Sequence, residues 1–258
     1  MARLRVLAIV QARLGSTRLP RKALLDLAGR PVLAHVFDRA ACIPGVDELV
    51  LATTDNFEDE ALVGVARSVG VACVRGSEKD VVDRFRMAAR EFPADAILRI
   101  TADCPLIDPD VSGHVVTRFL ENAATVDYAS NVQPPTFPDG LDTEIFSMAA
   151  LERAWLEARS ASDREHVTPY IRDERNGFRL MNVAHIEDLS MHRWTLDEPR
   201  DLAFVRAVYA ALAPDGKRIF GMEEILDLLR ARPELFAINA GIERNQGYER
   251  SGGFGSAW

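Results

Sequence analysis

The sequence is poor in cysteine, in net positive charge and in long apolar runs. Cys42, Cys73 and Cys104 are the only cysteines among 258 residues, and an odd, widely spaced trio supports neither a disulfide framework nor a zinc cluster. This usage fits a reducing compartment. The apolar stretch that ends at Val10 is interrupted by Gln11 and Arg13, so it is too short for a signal-peptide core or a membrane span. A cytoplasmic protein with no membrane partner is expected. With 31 Lys and Arg against 39 Asp and Glu, the formal charge is −8, which disfavours nucleic acid as a partner and confines any polyanion site to a local patch. A 48% hydrophobic content is enough for a sizeable core, so disorder is excluded as the general state.

Two phosphate-binding motifs are also missing. There is no Gly-x-x-x-x-Gly-Lys-Ser/Thr and no Gly-x-Gly-x-x-Gly, which removes the main warrants for a P-loop phosphotransferase and a dinucleotide-binding fold. What is present is an alternation. Leu4–Val10, Glu48–Thr53, Val71–Val74 and Ala96–Ile100 read as buried strands. Pro31–Ala41, Glu58–Val69, Val81–Glu91 and Pro109–Glu121 carry helix-period apolar residues between and after them. This order predicts an α/β fold with a mostly parallel sheet and helices on both faces. After Thr125 the alternation weakens. Strands are expected at Val126–Ala129, Thr143–Phe146, Phe178–Val183 and His192–Thr195, with helices at Met148–Arg159, Arg164–Arg172, Pro199–Ala211 and Met222–Leu229. The pattern implies a single domain over residues 1–240 with mixed sheet edges, a partly separate lobe near 125–190, and an irregular tail over 241–258.

In open sheets of this kind, ligands sit beyond the carboxyl ends of the strands. The segment directly after the first strand, Gln11-Ala12-Arg13-Leu14-Gly15-Ser16-Thr17-Arg18-Leu19-Pro20-Arg21-Lys22, concentrates four cations in an acidic protein. Gly15 lets the backbone turn and present N–H groups, Ser16 and Thr17 add hydroxyls, and Arg13, Arg18 and Lys22 can neutralise a polyphosphate. The alternative is a solvated basic turn. Residues 99–108, Arg-Ile-Thr-Ala-Asp-Cys-Pro-Leu-Ile-Asp, place Asp103 just past a strand, where Pro105 stops further pairing and a carboxylate can hold a metal. Asp108, before Pro109, suits a helix cap. Magnesium uses one or two carboxylates together with phosphates and water. Asp197, after the strand-like His192–Thr195 run, is the candidate for the second carboxylate, with helix capping by Asp197-Glu198-Pro199 as its alternative role.

Residues 13–22 resemble the signature of the cytidylyltransferases that activate acidic sugars, the CMP-Kdo and CMP-sialic acid synthetases. Within that group the chain is most similar to the spore coat polysaccharide biosynthesis protein F family. The similarity extends through 99–108, 137–144, 164–170, 192–197 and 239–248. It implies a three-layer, Rossmann-like nucleotidyltransferase fold of the glycosyltransferase A type and a homodimer. The implied function is to couple CTP to a nonulosonic-acid-like sugar acid for surface polysaccharide biosynthesis, releasing pyrophosphate, with Mg2+ as cofactor. Catalytic roles fall to Arg13, Arg18, Lys22 and Asp103, and metal binding to Asp103 and Asp197. Nucleotide contacts are expected from Gln11, Ala12, Arg13, Gly15, Ser16, Arg18, Lys22, Asp80, Arg84, Thr101 and Ala102. Sugar contacts are expected from Asp142, Glu144, Arg164, His166 and Arg193, with Arg164 and Arg193 suited to a carboxylate through their planar forks. Two rivals stay open: a glycosyltransferase using a nucleotide sugar, disfavoured because Thr101-Ala102-Asp103-Cys104 lacks an Asp-x-Asp pair, and a non-catalytic nucleotide-binding subunit.

Overall fold

The computed structural model describes residues 3–244. In chain order, β1 (Val6–Gln11) leads through the basic loop to a hairpin of β2 (Asp26–Leu27) and β3 (Arg30–Pro31), then to α1 (Val32–Ala41). Three strand–helix units follow: β4 (Glu48–Thr54) with α2 (Glu60–Ser68), β5 (Ala72–Gly76) with α3 (Val81–Glu91), and β6 (Ala96–Thr101) with α4 (Pro109–Glu121). After these come β7 (Tyr128–Ser130), β8 (Glu144–Ser147), α5 (Met148–Glu157), α6 (Ala161–His166), α7 (Pro169–Arg172) and β9 (Leu180–Asn182). The described chain finishes with α8 (Pro199–Leu212), α9 (Met222–Ala231) and the single turn α10 (Pro233–Phe236).

Seven strands form one sheet in the order β5-β4-β1-β6-β8-β7-β9. β1 is central because both its neighbours run parallel to it: Ile9 faces Val50 of β4 on one side and Arg99 of β6 on the other. Strands buried on both faces need continuous apolar side chains, and Val6, Leu7, Ala8, Ile9 and Val10 are fully buried. Alternate residues serve opposite layers. Val6, Ala8 and Val10 pack with Leu33, Phe37, Leu62, Val115 and Phe119, while Leu7 and Ile9 pack with Val82, Phe85 and Leu151. The arrangement is the expected three-layer α/β fold, with a core on each face of the sheet. β8 runs antiparallel to β6 and β7, and β9 returns parallel to β7, so the sheet edge is mixed. The 125–190 segment is joined to the main sheet through β7, β8 and β9.

A third apolar cluster lies over the C-terminal helices. Leu19 and Leu27 from the amino-terminal region pack there with Trp194, Leu196, Phe204, Tyr209 and Phe220. This cluster brings the basic loop beside the 193–197 segment, far away in sequence. Two expectations need correction. His192–Thr195 is not a strand: its pairing among the described residues is a lone bridge between Arg193 and Asp139. Arg164–Arg172 is not one helix, because Val167 adopts φ 70° and separates α6 from α7. The hairpin of β2 and β3 was not anticipated. It is too short for a periodic signal, and its turn uses left-handed Ala28 and Gly29. Most of the expected irregular tail, 245–258, lies outside the described residues. No helix among those described is long and apolar enough to cross a membrane.

Candidate active site

The basic loop is held by backbone and side-chain contacts that leave Arg13, Arg18 and Lys22 facing the cleft. Ala12 N–H donates to the Ala52 carbonyl at 3.2 Å, continuing the β1–β4 pairing past the strand. Leu14 N–H donates to Asp59 Oδ1 at 2.8 Å, and Asp59 is itself buried and bonded to the Thr54 hydroxyl. The loop ends with Arg21 at φ 55°, a sparsely populated conformation for a side chain of that size. That turn separates neighbouring cations. Arg21 is exposed, whereas Lys22 begins a short helical turn and points inward.

Asp103 and Asp197 meet the loop from two other directions. Asp103 follows β6, and its carbonyl accepts bonds from Leu196 N–H at 2.8 Å and the Thr195 hydroxyl at 3.3 Å. The two acidic segments are thereby stitched together, although the contacting residues are more than ninety positions apart. Gly140 makes this approach possible. It has φ 110°, and a Cβ there would lie 2.6 Å from Thr195 N and from the Trp194 carbonyl carbon. The Pro138-Asp139-Gly140 segment is therefore a close-packing point as well as a turn.

Capping at α8 falls to Asp201 rather than Asp197. Asp201 Oδ2 accepts from Asp197 N–H at 3.0 Å and Glu198 N–H at 2.9 Å. Arg193 grips the same carboxylate with both sides of its fork, at 2.9 and 3.0 Å. The side chain of Asp197 is thus free of capping and faces the basic loop. Lys22 Nζ donates to Asp103 Oδ2 at 2.6 Å and to Asp197 Oδ1 at 2.7 Å. Arg18 approaches Asp197 at 3.1 Å and Glu198 at 3.7 Å.

The electrostatics follow from burial and pairing. Burial opposes the charge on Lys22, but Asp103 and Asp197 outweigh it and raise the ammonium's pKa above its ordinary value. Burial likewise favours protonation of Asp103, yet the Lys22 ammonium and the Thr101 hydroxyl hold its pKa at about 2. Two carboxylates converging on one cationic centre are chemically suited to a divalent ion. No group of three or more His, Cys, Asp or Glu side chains among the described residues is arranged for a metal.

A cleft runs to either side of this centre. One chamber, about 400 Å³, is lined by the loop residues Gln11, Ala12, Arg13, Gly15, Ser16 and Arg18, by Lys22, and by Val81, Arg84, Thr101 and Ala102. The other, about 280 Å³, is lined by Asp139, Asp142, Glu144, Thr168, Arg172, Thr195 and Arg244. Arg18, Arg99, Thr101, Asp103, His166 and Asp197 border both. Arg13 spans the first chamber's mouth, pairing with Glu165 at 2.8 Å and Glu78 at 3.4 Å. Arg84 is buried, and desolvation lowers its pKa to about 10.

Most of the residues expected at the site are brought together, but three are not. Asp80 caps α3 through Asp83 N–H at 2.9 Å and its other oxygen pairs with Arg164. Neither residue lines either chamber. Arg193 is buried against Asp201 and Asp139, so its fork orients carboxylates and does not face the cleft. Asp142, Glu144 and His166 do reach the second chamber. Glu144 is internally neutralised: burial would raise its pKa, but Arg99 and Arg172, with the Tyr128 and Thr168 hydroxyls, hold it at about 2. Burial also raises Asp142, despite Arg244 beside it. It raises Asp139 as well, to about 7, with Asp142 adding to the effect and Arg244 and Arg193 opposing it. Burial and the nearby Arg99 lower the pKa of His166.

Arg99, Asp139, Thr168, Arg172, Thr195 and Arg244 were not anticipated. Arg99 carried a signal, because a lone arginine inside an otherwise apolar strand needs polar company; it donates to Gln11 Oε1 at 2.9 Å and pairs with Glu144. The others are assembled by tertiary contacts that no local pattern encodes.

Residues 7–231 match the family model described as Cytidylyltransferase. The chain is 29% identical over 238 residues to the spore coat polysaccharide biosynthesis protein SpsF of Bacillus subtilis, covering 89% of this chain and 95% of that one. A cytidylyltransferase structure from Leptospira borgpetersenii superposes with a TM-score of 0.86 at 29% identity, covering 93% of this chain and all of the other. A CMP:2-keto-3-deoxy-manno-octonic acid synthetase, solved with CTP, shares the fold with a TM-score of 0.61 at 19% identity, over 80% of this chain and 98% of its own. A basic loop and two carboxylates meeting at the carboxyl edge of a parallel sheet, within a match that spans most of the sequence, place this nucleotidyltransferase in the cytidylyltransferase family.

Proposed function

We propose that the chain transfers the cytidylyl group of CTP to a hydroxyl of a sugar acid, releasing pyrophosphate, as a step in surface polysaccharide biosynthesis. The observation that carries this reading is the Lys22 ammonium between Asp103 and Asp197 at the junction of two chambers. A triphosphate fits the basic first chamber, and a polar acceptor fits the second, where hydroxyls, carboxylates and arginines alternate. Similarity to SpsF supports the polysaccharide setting.

In the proposed reaction the acceptor oxygen bonds to the α-phosphorus as the bridge to the β-phosphate breaks, and the hydroxyl proton is lost to solvent. The protein's contribution is alignment and preorganised charge. Arg13, Arg18 and Lys22 neutralise the triphosphate, the loop around Gly15 and Ser16 supplies backbone and hydroxyl donors, and Arg84 closes the back of the chamber. Asp103 and Asp197 are the residues that would hold magnesium. When bound, that ion supplies neutralisation and polarisation of the phosphates. Asp201 and Arg193 keep Asp197 aimed at the centre. Cytoplasmic location and homodimerisation belong to the same proposal; the first rests on the sparse, unpaired cysteines and the short first apolar run, the second on the family resemblance.

The test is a screen of the four nucleoside triphosphates against acidic and neutral sugars, read by pyrophosphate release. CTP with a sugar acid should be the productive pair. Release with another nucleotide, or transfer from a finished nucleotide sugar, would refute the assignment.

A further inference from the structure

The second chamber is completed by a residue that follows the C-terminal helices. After α10 the chain is fastened back onto the domain at three points. Arg200 Nε donates to the Ile238 carbonyl at 2.6 Å, Asn239 Nδ2 donates to the Arg193 carbonyl at 2.8 Å and to Asp201 Oδ1 at 3.0 Å, and Arg193 Nη1 donates to the Glu243 carbonyl at 3.3 Å. These anchors use the same Arg193 and Asp201 that orient Asp197. They deliver Arg244 to the chamber wall. Its Nη1 donates to the Phe137 carbonyl at 3.2 Å, its Nη2 pairs with Asp142, and its Nε lies 4.0 Å from Asp139.

This placement is unlike that of Arg99 and Arg172, and unlike Arg18 it lies away from the Lys22 centre, at the far wall of the second chamber. Arg99 and Arg172 are directed at Glu144, a carboxylate whose side chain is only 7% exposed. Asp142, the main partner of Arg244, is 34% exposed and lines the chamber. The Arg244–Asp142 pair is part-buried and opens on the chamber, and a guanidinium fork takes a carboxylate or phosphate bidentately, so an anion that replaces Asp142 keeps the guanidinium charge compensated. An incoming anion can therefore take Arg244 while Asp142 turns to accept hydroxyl hydrogen bonds from the same molecule.

We propose that Arg244 binds the acceptor directly and sets its specificity for a sugar carrying a carboxylate or phosphate group. The inference rests on the cytidylyltransferase reading and deepens it, because it assigns recognition of the acceptor's anionic group to the C-terminal segment in place of Arg164 and Arg193, which are committed elsewhere. Arg244 takes no part in nucleotide binding.

The test compares the full chain with R244K and R244A, using three acceptor probes: 3-deoxy-manno-octulosonate, glucose 1-phosphate and neutral arabinose. Acceptor KM and kcat are read by pyrophosphate release, and acceptor binding to the CTP-loaded protein and CTP affinity by calorimetry. One anionic probe should bind better than arabinose, and which one binds distinguishes carboxylate from phosphate recognition. R244A should weaken that probe on the order of tenfold or more, R244K should fall between R244A and the wild type, and CTP affinity should stay within about twofold. Equal or absent binding of all three probes would overturn the proposal. So would R244A with unchanged acceptor affinity, or a parallel loss of CTP affinity. If R244A does not fold, R244K decides: acceptor affinity equal to wild type contradicts direct binding. Failure of the cytidylyltransferase reading is separately visible, as absence of CTP binding by the wild type.

Discussion

At the scale of single residues, the site turns on Lys22 between two acids. Its ammonium stands 2.6 Å from Asp103 and 2.7 Å from Asp197, so removing it leaves two partly buried carboxylates facing each other without compensation. Breaking such an arrangement by deleting one partner costs up to about 3–5 kcal/mol at a fully buried site, and less here, where the carboxylates are 22–25% exposed. Lys22→Met should therefore lower Tm in a chelated buffer. Millimolar Mg2+ or Mn2+ should restore more of Tm in that variant than it adds to the wild type. Equal shifts in both proteins, measured by calorimetry, would show that the two acids do not share a cation. Asp103→Ala should reduce pyrophosphate release by about 100-fold or more while circular dichroism stays unchanged.

Glu144 gives a pH prediction at the same scale. Its pKa falls from an ordinary 4.5 to about 2 in the folded protein, so the folded state binds its proton less readily than the unfolded chain. The associated stability is fully present above pH 4.5 and is lost as pH falls toward 2. Urea titrations at pH 6 and pH 3 should show the wild type losing more stability than Glu144→Gln over that interval. Identical losses would remove Glu144 from the buried network with Arg99, Arg172 and Tyr128.

At the scale of elements, the site depends on a segment that is not regular structure. Residues 193–197 are held by the Leu196–Asp103 backbone bond, by Gly140 beneath them and by Asp201 in the first turn of α8. Gly140→Ala places a methyl 2.6 Å from two backbone atoms at φ 110°, which should cost at least about 2 kcal/mol by strain and overpacking. Activity should fall with it, because the same shift moves Asp197 away from Lys22. A variant with wild-type urea midpoint and turnover would contradict this role. The sequence made Gly140 visible only as a turn residue. The close approach depends on Trp194 and Thr195, distant in sequence, and such contacts leave no local period. His192–Thr195 looked like a strand for a related reason: Trp194 and Leu196 are buried in the cluster beneath α8, and core packing in an extended segment imitates sheet alternation. Arg164–Arg172 contains Pro169, which cannot sit in a helix interior but suits a first turn, so the end of α6 at Val167 and the restart of α7 at Pro169 follow a local signal that the spacing of apolar residues conceals.

For the whole molecule, the layers were legible because β1, β4 and β6 are covered on both faces over most of their length and are mainly apolar there. The position of the site was legible because an open parallel sheet presents ligands at its carboxyl edge. Gln11, Arg13, Arg18, Lys22, Asp103 and Asp197 all lie on segments that leave that edge or pack over it. The second chamber was less legible. Its wall is gathered from β6, the 137–144 segment, α7, the 193–197 segment and residue 244, and no single stretch contributes enough of it to form a motif. Asp80, Arg164 and Arg193 were nominated by type and neighbourhood; the structure spends their charges on one another and on Asp201, Asp139 and the cap of α3.

The measurement that bears most directly on the central arrangement is CTP binding by calorimetry in the presence and absence of Mg2+, for the wild type and for Asp103→Asn with Asp197→Asn. If the ion takes the place of Lys22 between the two acids, as proposed, wild-type affinity for CTP should rise by about tenfold or more when Mg2+ is added, and the double variant should lose most of that dependence. A wild type that binds CTP equally well without the ion, or a double variant with an undiminished Mg2+ response, would contradict a shared site built from Lys22, Asp103 and Asp197.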